Sequence, residues 1–167
     1  TRVALNENSV EWAASGIDDY VQHSDFFHIS NEVSIVAGCP QSNATRLGGS
    51  NSFCMTPDHA GLFRRLNVDI VELSGNHNND YGYEAYRDTL DFFQMNNIAT
   101  VGGGNTVQEA RSPLQLAHHG NAIAWISCNT VGPYYALVNE DDTAAGGIRP
   151  GAAACDWNWL SEALPTL

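Results

Sequence analysis

The segment VELSGNHNNDYGYEA (71–85) carries one histidine and four side chains with amide or carboxylate oxygens at positions 76–80, directly after an apolar run. Asn76 offers a carbonyl oxygen that a divalent cation accepts, and the His77 imidazole can bind a metal, donate to a phosphate oxygen or shuttle a proton. Asp80 has two competing jobs: to cap a helix beginning at Tyr81, or to hold a ring nitrogen of His77. Gly75 permits an unusual backbone angle at the turn. Taken as chemistry alone, a capped polar turn is the simpler reading, because short motifs match by chance.

The surrounding elements decide whether these side chains can converge. DIVEL (69–73) is a β-rich stretch of strand length between two helical patterns. In an open α/β sheet, ligands gather beyond the carboxyl ends of strands, which is where 74–80 falls. Upstream, Val10, Ala13, Ala14, Ile17 and Val21 form one apolar stripe and predict a single helix. A strand follows over Phe26–Ser30, with Val33–Ala37 as a candidate continuation, and then a polar loop over 38–55. Thr56-Pro57-Asp58 is a helix start, carrying Leu62, Phe63 and Leu66 toward an end near Asn67. A second helix is predicted from Tyr81 to Asn96, with Tyr86, Leu90 and Phe93 on its buried side. A short strand over 98–101, a glycine turn over 102–105 and a Thr106/Glu109 capping box come next. The stretch 114–127 reads as a hairpin turning at Gly120-Asn121. A Gly/Ala-rich loop then leads to a helix near Trp157–Leu164. Alternating helices and strands predict an α/β layered fold in one domain over 1–167.

The remaining candidates have plain structural readings. VGGGNT (101–106) lacks the Lys-Ser/Thr of a phosphate-binding loop and has Val107 at the third glycine position, so a strand-to-helix turn is expected. His118-His119 at the hairpin end reads as a solvated turn, His28 as an ordinary strand residue, and His23 and His59 as surface residues. Trp157 and Trp159 are expected to pack the terminal helix. None of Cys39, Cys54, Cys128 and Cys155 forms a C-x-x-C pair, which argues against a structural zinc site. Cys39 and Cys54 bracket a Ser/Asn/Gly-rich loop, and either a disulfide between them or four separate buried thiols satisfies the sequence. Asn43-Ala44-Thr45 has the form of a glycosylation acceptor.

Composition narrows the partners. The chain has 167 residues, net charge −12, seven arginines and no lysine. Such an acidic surface repels phosphate backbones and anionic lipid, so nucleic-acid binding is not expected, and a cation fits the charge better. No apolar run reaches the roughly 18 residues that span a membrane.

From VDIVELSGNHNNDYG to GGGNTVQEARSP the chain resembles the bacterial capsule-synthesis family, the CapA or poly-γ-glutamate capsule proteins. The resemblance is carried by Asn76, His77, Asp80, Gly82, Thr89, Leu90, Val101, Gly102, Gly104, Asn105, Glu109, Ala110 and Pro113. SDFFHISNEVSI adds Asn31 and Glu32. It implies a layered β-sandwich flanked by helices, related to the calcineurin-like metallophosphoesterases, and a cell-surface or extracytoplasmic location. It also implies Asn76 and Glu32 as ligands to a divalent metal (Mn, Zn or Fe). His77, with Asn76, would be the catalytic residue, and Asn31, Asp80 and Gly82 would shape the site. The family's leading Gly-Asp strand and its later His-x-Gly and His-rich segments have no counterpart here. The domain is therefore expected to be truncated at both ends, with an incomplete metal centre. Two functions follow: metal-dependent phosphoester hydrolysis tied to capsule or poly-γ-glutamate synthesis, or a non-catalytic module on that fold binding an anionic polymer or a protein.

Overall fold

The apolar run at 70–73 becomes the middle of a three-stranded parallel sheet in a computed structural model, which describes residues 5, 8–40, 45–47, 50–142 and 146–167. Strand β1 (His28–Ser30) pairs with β6 (Ile70–Glu72), and β6 pairs with β7 (Ala99–Val101), so Ser30, Glu72 and Val101 lie side by side at the carboxyl end. Parallel neighbours need crossover connections, and helices supply them. One is α3 (Pro57–Arg65); the other is α4 (Tyr83–Met95). Thr56 caps α3 by accepting from the His59 N–H at 3.3 Å, with proline at the first helical position. Val71 and Leu73 bury fully against Phe63, Leu66 and Phe93 from these helices. Phe63 and Phe93 meet with ring centroids 5.4 Å apart. Each large apolar side chain buried this way contributes about 1.5–3 kcal/mol.

The N-terminal stripe forms two short helices, α1 (Val10–Ser15) and α2 (Asp18–Gln22), where one was expected. Gly16 caps the first of them, and backbone freedom at glycine favours ending a helix there. Ala14 still reaches the core, and Arg65 grips Asp18 with both terminal nitrogens at 2.8 and 2.5 Å, joining α2 to α3.

The expected loop over 38–55 contains β3 (Thr45–Leu47) and β4 (Ser50–Ser52), an antiparallel pair. It ends in β5 (Cys54–Met55), which pairs in parallel with β2 (Ser34–Ile35). Cys39 and Cys54 are joined in a disulfide, and Cys128 is joined to Cys155. The glycosylation-like Asn43 lies outside the described residues.

The glycine stretch after β7 is more than a turn. Gly103–Gly104 forms β8, antiparallel to β13 (Gly151–Ala152), before the short helix α5 (Val107–Arg111). The Thr106 hydroxyl accepts from the Glu109 N–H at 3.1 Å, as the capping box requires, while the Glu109 carboxylate takes the N–H of Asn105. The hairpin is β9 (Leu114–His118) and β10 (Asn121–Trp125). Its turn is His119-Gly120 rather than Gly120-Asn121, because Asn121 pairs with His118. Both turn residues have positive φ, 49° and 81°, which suits a two-residue connection. The Gly/Ala-rich region holds β11 (Asn139–Asp142) antiparallel to β12 (Gly147–Arg149), and α6 (Trp157–Ala163) follows β13. The result is a mixed α/β chain of small sheets and helices.

Candidate functional site

The polar turn after β6 is braced from within by asparagines. The wholly buried Asn78 side chain donates to the carbonyls of Leu73 at 2.6 Å and Gly75 at 3.0 Å, and the Asn78 backbone carbonyl accepts from the Ser34 hydroxyl. Asn79 donates to the carbonyls of Tyr135 and Pro150, both at 2.8 Å, which fastens the C-terminal region to the turn. These two side chains build the loop and leave Asn76 and His77 half-buried at its surface.

The segment 31–33, between β1 and β2, lies alongside this turn. The Asn31 N–H donates to the Glu72 carbonyl at 2.9 Å, and the Asn31 side chain, 4% exposed, donates to the Val33 carbonyl at 2.8 Å. Val33 and His77 form a parallel bridge. Gly75 makes the approach possible: a β-carbon there would sit 2.6 Å from the Glu32 Cα. Space, and not an unusual backbone angle, is what this glycine supplies, since its φ is not positive. Glu32, which is exposed, is thus placed beside the segment carrying Asn76 and His77.

His77 Nδ1 lies 2.7 Å from Asp80 Oδ2, and the same oxygen accepts from the Phe53 N–H at 2.8 Å. The Phe53 ring meets the imidazole edge-on at 4.6 Å. An ionised carboxylate only accepts, so Nδ1 carries the hydrogen and Nε2 is the nitrogen left for a ligand. Of its two anticipated jobs, Asp80 performs the second. The helix α4 begins at Tyr83, not Tyr81, and is capped by Gly82 at φ 91° with no side-chain cap. Tyr135 stands nearby, and burial followed by the Asp80 charge raises its hydroxyl above the usual tyrosine range.

A second polar cluster escaped the sequence reading. The Glu72 carboxylate, at the carboxyl end of β6, accepts from Ser30 Oγ at 2.6 Å, Ser127 Oγ at 3.0 Å, and both the N–H and hydroxyl of Ser74. Burial pushes its pKa up, but the Ser30, Ser74 and Ser127 hydrogen bonds together outweigh that and hold the carboxyl below its ordinary value. The signal was present as one acid inside the apolar run DIVEL, yet its partners Ser30 and Ser127 lie 42 and 55 residues away. The fully buried Tyr86 hydroxyl is raised by burial first and by the Glu72 charge second.

The donor set of Glu32, Asn76 and His77 offers two oxygens and one nitrogen, a mixture suited to a borderline divalent cation. His28 and His23 are exposed and His59 is half-buried. Trp157 is exposed, against expectation, while Trp159 lies under the Arg111 guanidinium at 5.1 Å. Among the described residues, the three metal-ligating side chains that come within 4.8 Å of one another are Asp25, His118 and His119, not Glu32, His77 and Asp80.

The chain is a mixed α/β protein with an Asn-His turn at the carboxyl end of a sheet strand. The family model described as bacterial capsule synthesis protein PGA_cap matches residues 2–156, and the chain belongs to that family. No curated protein matches it. No helix among the described residues is long and apolar enough to cross a membrane.

Proposed function

We propose that this domain serves capsule or poly-γ-glutamate synthesis as one wall of a metallophosphatase-like site, on a fold related to the layered sandwich of calcineurin-like phosphoesterases. The observation that carries the reading is His77 held through Nδ1 by Asp80, next to Glu32 packed on Gly75. Glu32 and Asn76 would hold a divalent cation of the Mn, Zn or Fe class. Such an ion, when bound, neutralises charge on a phosphoryl oxygen and lowers the pKa of water. His77 would present Nε2 to the leaving oxygen and give it a proton. Asn31, Asp80 and Gly82 shape this wall without touching substrate. Two disulfides suit an oxidising compartment, which supports a cell-surface or extracytoplasmic location.

The second reading is a non-catalytic module on the same fold that binds an anionic polymer or a protein. It is favoured by the Glu32 carboxylate standing outside any cluster with His77 and Asp80. Hydrolysis of p-nitrophenyl phosphate and bis(p-nitrophenyl) phosphate, with added Mn²⁺ or Zn²⁺, separates the two. The enzyme reading expects a metal-dependent rate that His77→Ala lowers at least 100-fold. Equal and negligible rates in wild type and His77→Ala leave the binding module.

A further inference from the structure

The hairpin's turn residues His119 and Gly120 are exposed, as expected, but His118 is half-buried. His118 Nε2 is buried with no hydrogen-bond partner, although Asp25 Oδ1 lies 3.4 Å away. Its ring is fixed edge-on against Phe26, with centroids 4.9 Å apart, and Phe26 in turn meets Trp125 at 6.0 Å. His119, in the left-handed turn position, stacks on His118 with centroids 4.0 Å apart. A buried ring nitrogen without a partner is costly, and a simple His–Asp hydrogen bond would have removed the cost. From these residues we infer a transition-metal site formed by Asp25, His118 and His119, distinct from the Asn76/His77 wall and independent of its proposed chemistry.

One ligand atom from each residue lies within 4.8 Å of the other two. Ligands about 2.0–2.2 Å from a zinc ion stand roughly 3–3.6 Å apart; His118 Nε2 and Asp25 Oδ1 are already 3.4 Å apart, and no pair has to close by more than roughly 1–2 Å. Asp25 and His119 are exposed and can make that movement, while His118 provides a fixed anchor. Two imidazoles and one carboxylate select zinc and its neighbours over calcium or magnesium, which prefer oxygen alone. Three protein ligands leave a coordination position for water. The acidic chain, at net charge −12, favours cation uptake. Because Asp25 precedes β1 and the histidines close the hairpin, an ion here would clip the β9–β10 hairpin to the start of the sheet's edge strand.

The test is titration of chelator-treated protein with Zn²⁺ by calorimetry at pH 7.5, with Co²⁺ absorption as a report on ligand geometry. Wild type should bind Zn²⁺ with a micromolar Kd, and Asp25→Asn and His119→Ala should each weaken that event at least tenfold. Glu32→Ala/Asn76→Ala should retain it, which separates this site from any ion at the proposed phosphatase wall. Zinc at a hundred times the wild-type Kd should raise the Tm of wild type by about 5–10 °C and that of His119→Ala by about half as much or less. His118→Ala is less informative because its ring packs on Phe26; the two exposed positions keep the test decisive. No binding below 1 mM, or equal affinity in wild type, Asp25→Asn and His119→Ala, overturns the site.

Discussion

His77 Nδ1 and Asp80 Oδ2 stand 2.7 Å apart, with the Asp80 side chain 2% exposed and the His77 side chain 25% exposed. One end of the imidazole is therefore buried on a carboxylate while the rest of the ring borders solvent. Because the same oxygen anchors the Phe53 N–H, a single carboxylate fixes both the imidazole and the segment entering β5. Replacing Asp80 with alanine strips both donors of their acceptor, a loss of about 1–3 kcal/mol for each buried group left unpaired. Asp80→Asn keeps an acceptor oxygen but removes the charge that selects the Nδ1–H form. Nitrogen NMR of the His77 ring should show Nδ1 protonated in neutral wild-type imidazole and a mixture of tautomers in Asp80→Asn. The same tautomer in both proteins would show that Asp80 does not set it.

Gly75→Ala tests the contact that places Glu32. A β-carbon would stand 2.6 Å from the Glu32 Cα and 2.9 Å from its Cβ, and backbone cannot swing away as a flexible side-chain tip can. Overpacking of this kind costs about 1–3 kcal/mol. Urea unfolding should show a lowered midpoint with an unchanged slope. A midpoint equal to wild type would mean that the 31–33 segment is free to retreat.

Glu72 gives a pH dependence with a definite sign. Its carboxyl is held below the ordinary value of 4.5, so the unfolded chain binds its proton more readily than the folded one. The resulting stability is fully present above about pH 4.5 and disappears as pH falls through the folded value. Glu72→Gln, which cannot ionise, should be destabilised at pH 7 by about 1–3 kcal/mol. The difference from wild type should narrow progressively as pH drops below 4.5. Parallel stability curves for the two proteins from pH 7 to pH 3 would rule out this linkage.

Asp80, Gly75 and Glu72 differ in how far the sequence alone exposes their roles. Strand β6 and helix α3 were legible because apolar patterning and the Thr56-Pro57 cap are local signals. Asn76, His77 and Asp80 could be singled out by type and spacing, yet Asp80's choice between cap and imidazole depended on Phe53, 27 residues away. Asn78 and Asn79 looked equal to Asn76 in the sequence; burial against Leu73, Tyr135 and Pro150 turns them into braces. Gly75 was read as a turn glycine, whereas its need is set by Glu32, from a segment that only the tertiary fold brings near. The N-terminal stripe keeps helical periodicity across Gly16, so periodicity alone predicts one helix where the chain breaks at that glycine. Ser127 and the Asp25–His118 approach rest wholly on long-range packing, which no local pattern records.

The Cys128–Cys155 disulfide offers the last test, because it closes a 27-residue separation beside the Glu72 cluster. Chain-entropy arguments assign such a loop about 3–4 kcal/mol, drawn chiefly from restricting the unfolded chain. The native backbone around it is already aligned: the Asn129 N–H donates to the Ala153 carbonyl at 2.7 Å and the Cys155 N–H to the Asn129 carbonyl at 3.0 Å. The Asn129 side chain also donates to the Ser74 carbonyl at 2.8 Å, linking this corner to the turn that bears His77. A Cys128→Ser/Cys155→Ser variant should therefore keep the fold under mild conditions and lose about 3–4 kcal/mol in urea unfolding. Cys39→Ser/Cys54→Ser, with a separation of 15 residues, should lose about 3 kcal/mol and leave the Ser127–Glu72 hydrogen bond undisturbed. Adding reductant to wild type should lower the midpoint beyond either double variant alone. A reductant-insensitive midpoint would show that neither bond stabilises the chain, and would remove the oxidising compartment's support for a surface location.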